Sequence, residues 1–325
     1  MDFDAANPSA CARPACDTPL PQKAWRLDRT FAMNLYDFAR LFSLAAIWGG
    51  SYALMRAVAP VFGGIGTMWL RISIAGVLLL VYATAIRADL QWRAWWKHYL
   101  LIGLLNSALP FALIAFAMKT LPAGYGAILN ASSPFFAALC AAIMLDERLT
   151  ASRLAGMALG LAGVGLIINL GPIPLTSATV TAMAASLMAA ALYGFVIVYT
   201  KKYTKGVPNM GIAVGTLLLP AMLIAPLGLI SIPAVVPPAN VVFSLLALAA
   251  LCSAVAYLLY FGLIRDVGPT RAISVTFLIP LFGVAWGAIF FAEALNAGAI
   301  FGGVVVLIGV ALVLEVLPLR RAEAK

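Results

Sequence analysis

The chain has one histidine, His98, and only twelve acidic residues among its 325. One histidine, expected in a loop, argues against a His-based metal centre. Each of the twelve acids lies in a tail, a loop or at the end of an apolar run. None is placed to carry a proton or offset a cation in the middle of such a run. No Gly-Lys-Ser/Thr phosphate loop occurs, so ATP is not expected to act on this chain directly. Cysteine is scarce too. Cys11 and Cys16 lie near the N-terminus, and Cys140 and Cys252 lie inside apolar runs. That placement makes no disulfide framework, and Cys11 and Cys16 have no partner at zinc spacing. Neither a metal nor a cofactor is expected. Charged residues make up 10% of the chain, against about 25% in a soluble domain.

What fills the space is apolar: 64% of residues, with a mean hydropathy of +1.02. The composition is that of a polytopic membrane protein. The net charge of +9 does not point to nucleic acid, because the basic residues sit between apolar runs, where they orient helices. Residues 1–35 are polar, with no apolar core before Tyr36, and are expected to be a disordered cytoplasmic tail. The helical pattern begins just after Met33, a candidate start. Ten runs follow, at about 36–58, 65–86, 99–118, 122–145, 151–170, 176–200, 210–231, 240–263, 268–291 and 297–317. Each is near the ~20 residues that span a bilayer. Residues 318–325 form a second short tail. With the N-terminus in the cytoplasm, 18 of 21 Lys and Arg fall on the inside. That bias predicts cytoplasmic N- and C-termini in the cell membrane. Trp92, Trp95 and Trp96 beside Arg93 and Lys97 then read as an interfacial anchor.

The chain repeats itself. Pro134–Leu166 aligns without a gap on Pro280–Leu312, 146 positions later, with 12 identities in 33 positions. Pro134 meets Pro280, Glu147 meets Glu293, Gly156 meets Gly302 and Gly163 meets Gly309. Apolar composition alone would not place Pro, Glu and Gly in one register, so the unit is read as duplicated. Five runs per copy is an odd number, which turns the second copy upside down. The fold expected is all-α in the membrane: ten transmembrane helices as two inverted five-helix repeats, 36–170 and 176–317.

These motifs, with Trp48-Gly49-Gly50-Ser51 in run 1 and Arg71 early in run 2, resemble the EamA-type, ten-helix branch of the drug/metabolite transporter superfamily. The resemblance covers about residues 36–317. The second copy departs from it, with Ala292-Glu293-Ala294 where Gly-Glu is common. It implies a substrate path lined by runs 1, 3, 4, 6, 8 and 9, with 5 and 10 mainly packing.

The candidate substrate-binding residues are Trp48, Ser51, Tyr52, Asn106, Asn130, Tyr193, Ser253, Tyr257, Tyr260 and Thr276. Ser253, Tyr257 and Tyr260 share one helical face at i, i+4, i+7. The repeat maps Ser107, Phe111 and Ile114 onto them, with Asn106 and Pro110 alongside. Polar-tipped aromatics suit a cavity that stacks a substrate, or they hydrogen-bond helix to helix. Pro134 and Pro280 are mid-run kinks that remove helical partners from the carbonyls of Asn130 and Thr276. Those carbonyls either line a wet site or are met by a neighbouring side chain. Arg71, about 10 Å into run 2 at 1.5 Å per residue, is expected to snorkel to the outer interface in a structural or gating role. Glu147 and Glu293, each just before the next run, complement a helix dipole and are structural or gating. The glycines at 156, 160, 163, 298, 302 and 309 read as close helix packing.

The function expected is export of a small metabolite, such as an amino acid or related carboxylate, by alternating access. A membrane-embedded enzyme acting on lipid-linked substrates would need clustered acids or histidines at a membrane face, and there are none. A sensor or assembly role has no appended soluble domain in this sequence to support it. The partners expected are the small-molecule substrate, membrane lipid and at most a second copy of the chain.

Overall fold

The computed structural model describes residues 35–147, 149–170, 174–204, 206–267, 275–293 and 297–313, and these form helices and short connections. The expected tail 1–35 lies outside them except for Leu35, which begins the first helix, and the tail 318–325 and Met33 lie outside them as well. Ten helical runs can be followed. They are α1 (35–62), α2 (64–85), α3 (Trp92–Ala117), α4 (Ala123–Met144), α5 (Ala151–Leu170) and α6 (Ser177–Tyr203). They continue as α7 (Asn209–Leu223, carried on after Ile224 by a short helix at Ala225–Ile230), α8 (239–267), α9 (Val275–Phe291) and α10 (Ala297–Val313). Among the described residues five stretches are long and apolar enough to cross a membrane, with α1 and α2 counted as one, and shorter apolar helices accompany them.

Two boundaries differ from expectation. The expected runs 36–58 and 65–86 leave a connecting segment between them, but α1 and α2 meet at Gly63 alone, where φ is 67°. A left-handed residue lets the chain bend there without a connecting segment, and glycine takes that conformation freely. His98 was expected in a loop, but α3 starts at Trp92 and includes it. Its ring bonds the Tyr199 hydroxyl at 3.0 Å and packs on Trp95, so the Trp-rich segment is helix and not linker.

The duplication has structural counterparts. Asp146 and Ala292, 146 positions apart, both have positive φ, at 53° and 49°. The following Glu147 and Glu293 N–H groups donate to Ala141 and Gly287 carbonyls, both at 3.3 Å. Two π-helical turns break α3 at Leu104–Ala108 and α8 at Ala250–Val255, again at that spacing. In α3 the turn precedes Pro110, whose missing N–H leaves the Asn106 carbonyl without its usual donor. In α8 no proline accompanies it.

Close packing is reciprocal between the halves. A methyl added at Gly163 of α5 would meet the Gly302 carbonyl of α10 at 2.9 Å; one at Gly309 of α10 would meet the Gly156 carbonyl of α5 at 2.7 Å. These are the equivalent pairs, taken in opposite directions. A methyl added at Gly49 of α1 would meet Phe282 Cβ and the Gly283 nitrogen of α9 at 2.6 and 2.8 Å. One added at Gly194 of α6, 145 positions on, would meet Phe136 Cβ and the Ala137 nitrogen of α4 at 2.7 and 2.6 Å. So the first helix of each half packs on the fourth helix of the other. Small residues let helices approach this closely where no hydrophobic drive between them exists in lipid.

Candidate functional site

Arg71 is the deepest charge described. It is 3% exposed and turned inward, so it does not snorkel as the sequence suggested. Its Nε donates to Ser253 Oγ at 2.8 Å and one terminal nitrogen donates to the Cys252 carbonyl at 3.3 Å. Ser253 is fourteen residues from each end of α8, at the helix midpoint and within the π turn. The guanidinium lies over the Phe111 ring at 3.7 Å, a cation–π distance. Among the described residues the other terminal nitrogen meets the Met55 sulfur, at 4.0 Å.

Aromatic hydroxyls lie in the neighbourhood of this charge. Tyr52 of α1, Tyr193 of α6 and Tyr257 of α8 are close enough to interact with it electrostatically. The Tyr257 hydroxyl accepts from Asn106 Nδ2 at 3.3 Å and lies 3.4 Å from Ser107 Oγ. The Asn130 amide lies beside the Tyr52 hydroxyl. Asn130 Oδ1 is buried without a hydrogen-bond partner. One turn away Trp48 packs on Tyr260, with ring centroids 5.3 Å apart. Trp48, Asn130, Tyr193, Tyr257 and Tyr260 keep part of their surface accessible despite lying well inside their helices.

Other candidates fall elsewhere. Ser51 donates to the Trp48 carbonyl within its own helix at 2.6 Å, so its hydroxyl is engaged locally. Ser253 is fully buried under Arg71. Thr276 is half-buried in α9, one turn before Pro280. Pro134 divides α4 at Ala131–Ser132, but the Asn130 carbonyl is not open to a ligand, since Ser133 Oγ donates to it at 2.5 Å. Of the two readings for that carbonyl, the structure takes the neighbouring side chain. Pro280 sits inside an unbroken α9. The sequence reading overlooked the Cys252 carbonyl and Met55, and no local signal marked them.

The two glutamates occupy opposite ends of the bundle. Glu293 binds Arg56 of α1 and accepts the Ala123 N–H of α4 at 3.0 Å. It therefore caps the helix where α4 begins. Glu147, where α4 has ended, binds Lys201 of α6 at 2.9 Å and Arg153 at 3.1 Å. Those two bases hold its carboxyl below the usual carboxylate range. The intervening α4 has 22 residues, so the clusters stand roughly 33 Å apart at 1.5 Å per residue. Arg56 and Lys201 are 145 positions apart, the spacing of Gly49 and Gly194. Each glutamate thus holds a base on the first helix of the other half.

The sequence model of the EamA-like transporter family matches residues 39–169 and again residues 180–315. The chain belongs to the EamA-like transporter family. This family member is 27% identical to the uncharacterized transporter YvbV of Bacillus subtilis, over 83% of this chain and 88% of that one. It is 25% identical to Protein PecM of Dickeya dadantii, over 90% and 97%. It is 28% identical to the uncharacterized inner membrane transporter YedA of Escherichia coli K12, over 79% and 83%. A solved crystal structure aligns with a TM-score of 0.61 over 85% of this chain and 96% of its own, at 18% identity, which shows a shared fold. This EamA-family chain is a membrane transporter, and its two family matches coincide with the two halves that exchange contacts.

Proposed function

We propose that this transporter exports a small metabolite, such as an amino acid or related carboxylate, across the cytoplasmic membrane. Ten spans in two inverted five-helix repeats, with both termini cytoplasmic, enclose the Arg71–Tyr52–Tyr193–Tyr257 centre. The observation that carries the reading is the crosswise pairing of Arg56 with Glu293 at one end and Lys201 with Glu147 at the other. Contacts between halves, repeated at both ends of a central site, suit a device in which one half rocks against the other. Opening the outer end would separate Arg56 from Glu293; opening the inner end would separate Lys201 from Glu147. Both terms are local and charge-based, so the two ends can be biased independently.

The test is efflux from liposomes holding purified protein and a labelled amino-acid and organic-acid mixture. Labelled compound should leave protein-bearing vesicles faster than empty ones. If none moves in either direction, the transport reading of this centre is wrong.

A further inference from the structure

We propose that Arg71 is the anion subsite of the transport path and that a substrate carboxylate is its missing counter-charge. The inference rests on the transport reading above and deepens it by naming what the substrate must carry. Burying an ionised group is costly unless it is paired. A charge at membrane depth normally has an identifiable partner. Among the described residues no Asp or Glu pairs with Arg71. Its two good hydrogen bonds, to Ser253 Oγ and the Cys252 carbonyl, are ones a neutral amide could make. The Phe111 ring faces the positive charge, but among the described residues no carboxylate answers it. Guanidinium has five N–H donors, and among the described residues one terminal nitrogen has only a thioether sulfur at 4.0 Å.

The surroundings suit a carboxylate. Tyr257 accepts from Asn106, and where Ser107 is the donor in the 3.4 Å Ser107–Tyr257 contact the phenol keeps its own proton for an incoming oxygen. Tyr52 and Tyr193 bring two more phenolic donors near the charge. Asn130 Oδ1, beside Tyr52, is a buried acceptor with no partner. An ammonium on the same molecule would satisfy it. The best occupant is thus a zwitterionic amino acid, and next a plain monocarboxylate.

The experiment uses full-length protein and two series of matched size: L-phenylalanine, 3-phenylpropionate, phenylalaninamide and phenethylamine, and their leucine-like counterparts. Melting temperature is read in detergent, and flux is read in phosphatidylcholine liposomes, where no anionic lipid competes. Carboxylates should raise the melting temperature, amino acids most, and amides and amines should not. Arg71→Gln should weaken carboxylate binding by about tenfold or more, as loss of a charge-assisted contact does. Arg71→Lys should keep the preference for anions but bind them less tightly, because the planar fork is gone. If both variants fail to fold, the wild-type series still decides. Stabilisation by amides or amines equal to that by carboxylates overturns the proposal. So does a panel in which no carboxylate stabilises, or an Arg71→Gln protein with unchanged carboxylate affinity. Carboxylate binding without flux would leave the anion subsite and sink the transport reading; amine flux without carboxylate binding would do the reverse.

Discussion

Glu293 and Arg56 stand 237 residues apart in sequence and close on each other at one end of the bundle. Glu293 is nearly buried, with its side chain 7% exposed, and it also caps Ala123 of α4. Glu293→Gln keeps the shape and removes the charge. It should cost about 1.5–3 kcal/mol, the range for hydrogen bonds to charged groups, read as a lower unfolding midpoint in detergent. Exchanging the charges, Arg56→Glu with Glu293→Arg, should rescue only in part. The swap restores the pair but sets a cation against the positive end of α4. Full rescue would show that the cap contributes nothing.

The opposite cluster gives a pH dependence. Hydrogen bonds from Lys201 and then Arg153 lower the Glu147 pKa, so the folded state releases this proton more readily than the unfolded one. The resulting stabilisation is complete above the ordinary carboxylate value and is lost as pH falls through the lowered one. The melting-temperature gap between wild type and Glu147→Gln should be flat near neutrality and close on acidification below about pH 4. A gap that widens in acid would mean the carboxyl is not held in its charged form.

Much of this was legible in sequence, for a physical reason. Proline, glycine and a turn glutamate impose backbone demands that apolar substitution cannot imitate, so Pro134, Glu147, Gly156 and Gly163 revealed their copies. Crosswise packing was not legible, because no local pattern says which half Gly49 or Gly194 will touch. The depth of Arg71 in α2 was readable, but its inward turn depends on Ser253 and Cys252 in a π turn of α8 that no proline announces. Ser133, three residues after Asn130, could have been read as the donor that satisfies the freed carbonyl.

The α5–α10 contact should tolerate no added methyl. Gly309→Ala would place Cβ 2.7 Å from the Gly156 carbonyl and 2.8 Å from the Gly160 nitrogen. Backbone atoms cannot swing away, so overpacking of about 1–3 kcal/mol is expected. Gly163→Ala should cost a similar amount through the equivalent clash. Gly206→Ala is a control of another kind, since its strain comes from φ and nothing lies within 4 Å of the added atom. Unfolding midpoints of the three variants check this.

Orientation is testable with single cysteines in a background without the native four. Ser177 and Ala239 begin α6 and α8 and are exposed. Replaced by cysteine, each should react with an impermeant thiol reagent from outside the cell. Cysteines at Ala94 and Ala151, also exposed, should react only after the membrane is opened. The reverse pattern would invert the topology.

Coupling to protons is not expected. Among the described residues, Asp37, Asp266, Lys201 and His98 lie near helix ends, and the interior charge is Arg71, which stays protonated. Transport should run as uniport or exchange. In liposomes with matched ions, a pH gradient alone should leave a net-neutral amino acid at equal concentration on both sides. Uphill accumulation would reveal a proton carrier elsewhere in the chain.

The Glu293–Ala123 bond spans 170 residues, and this sets an order of events during synthesis. At about 5–20 residues per second a ribosome needs roughly 10–30 s to travel from one partner to the other. For that interval α4 has left the ribosome with its first amide unanswered, and Arg56 waits for the same carboxylate. Lys201 reaches Glu147 much sooner, after 54 residues. One end of the protein is therefore tied early and the other only when α9 has been made. A chain halted before residue 293 would be inserted yet unfinished at that second end, which is where a membrane protease would find it.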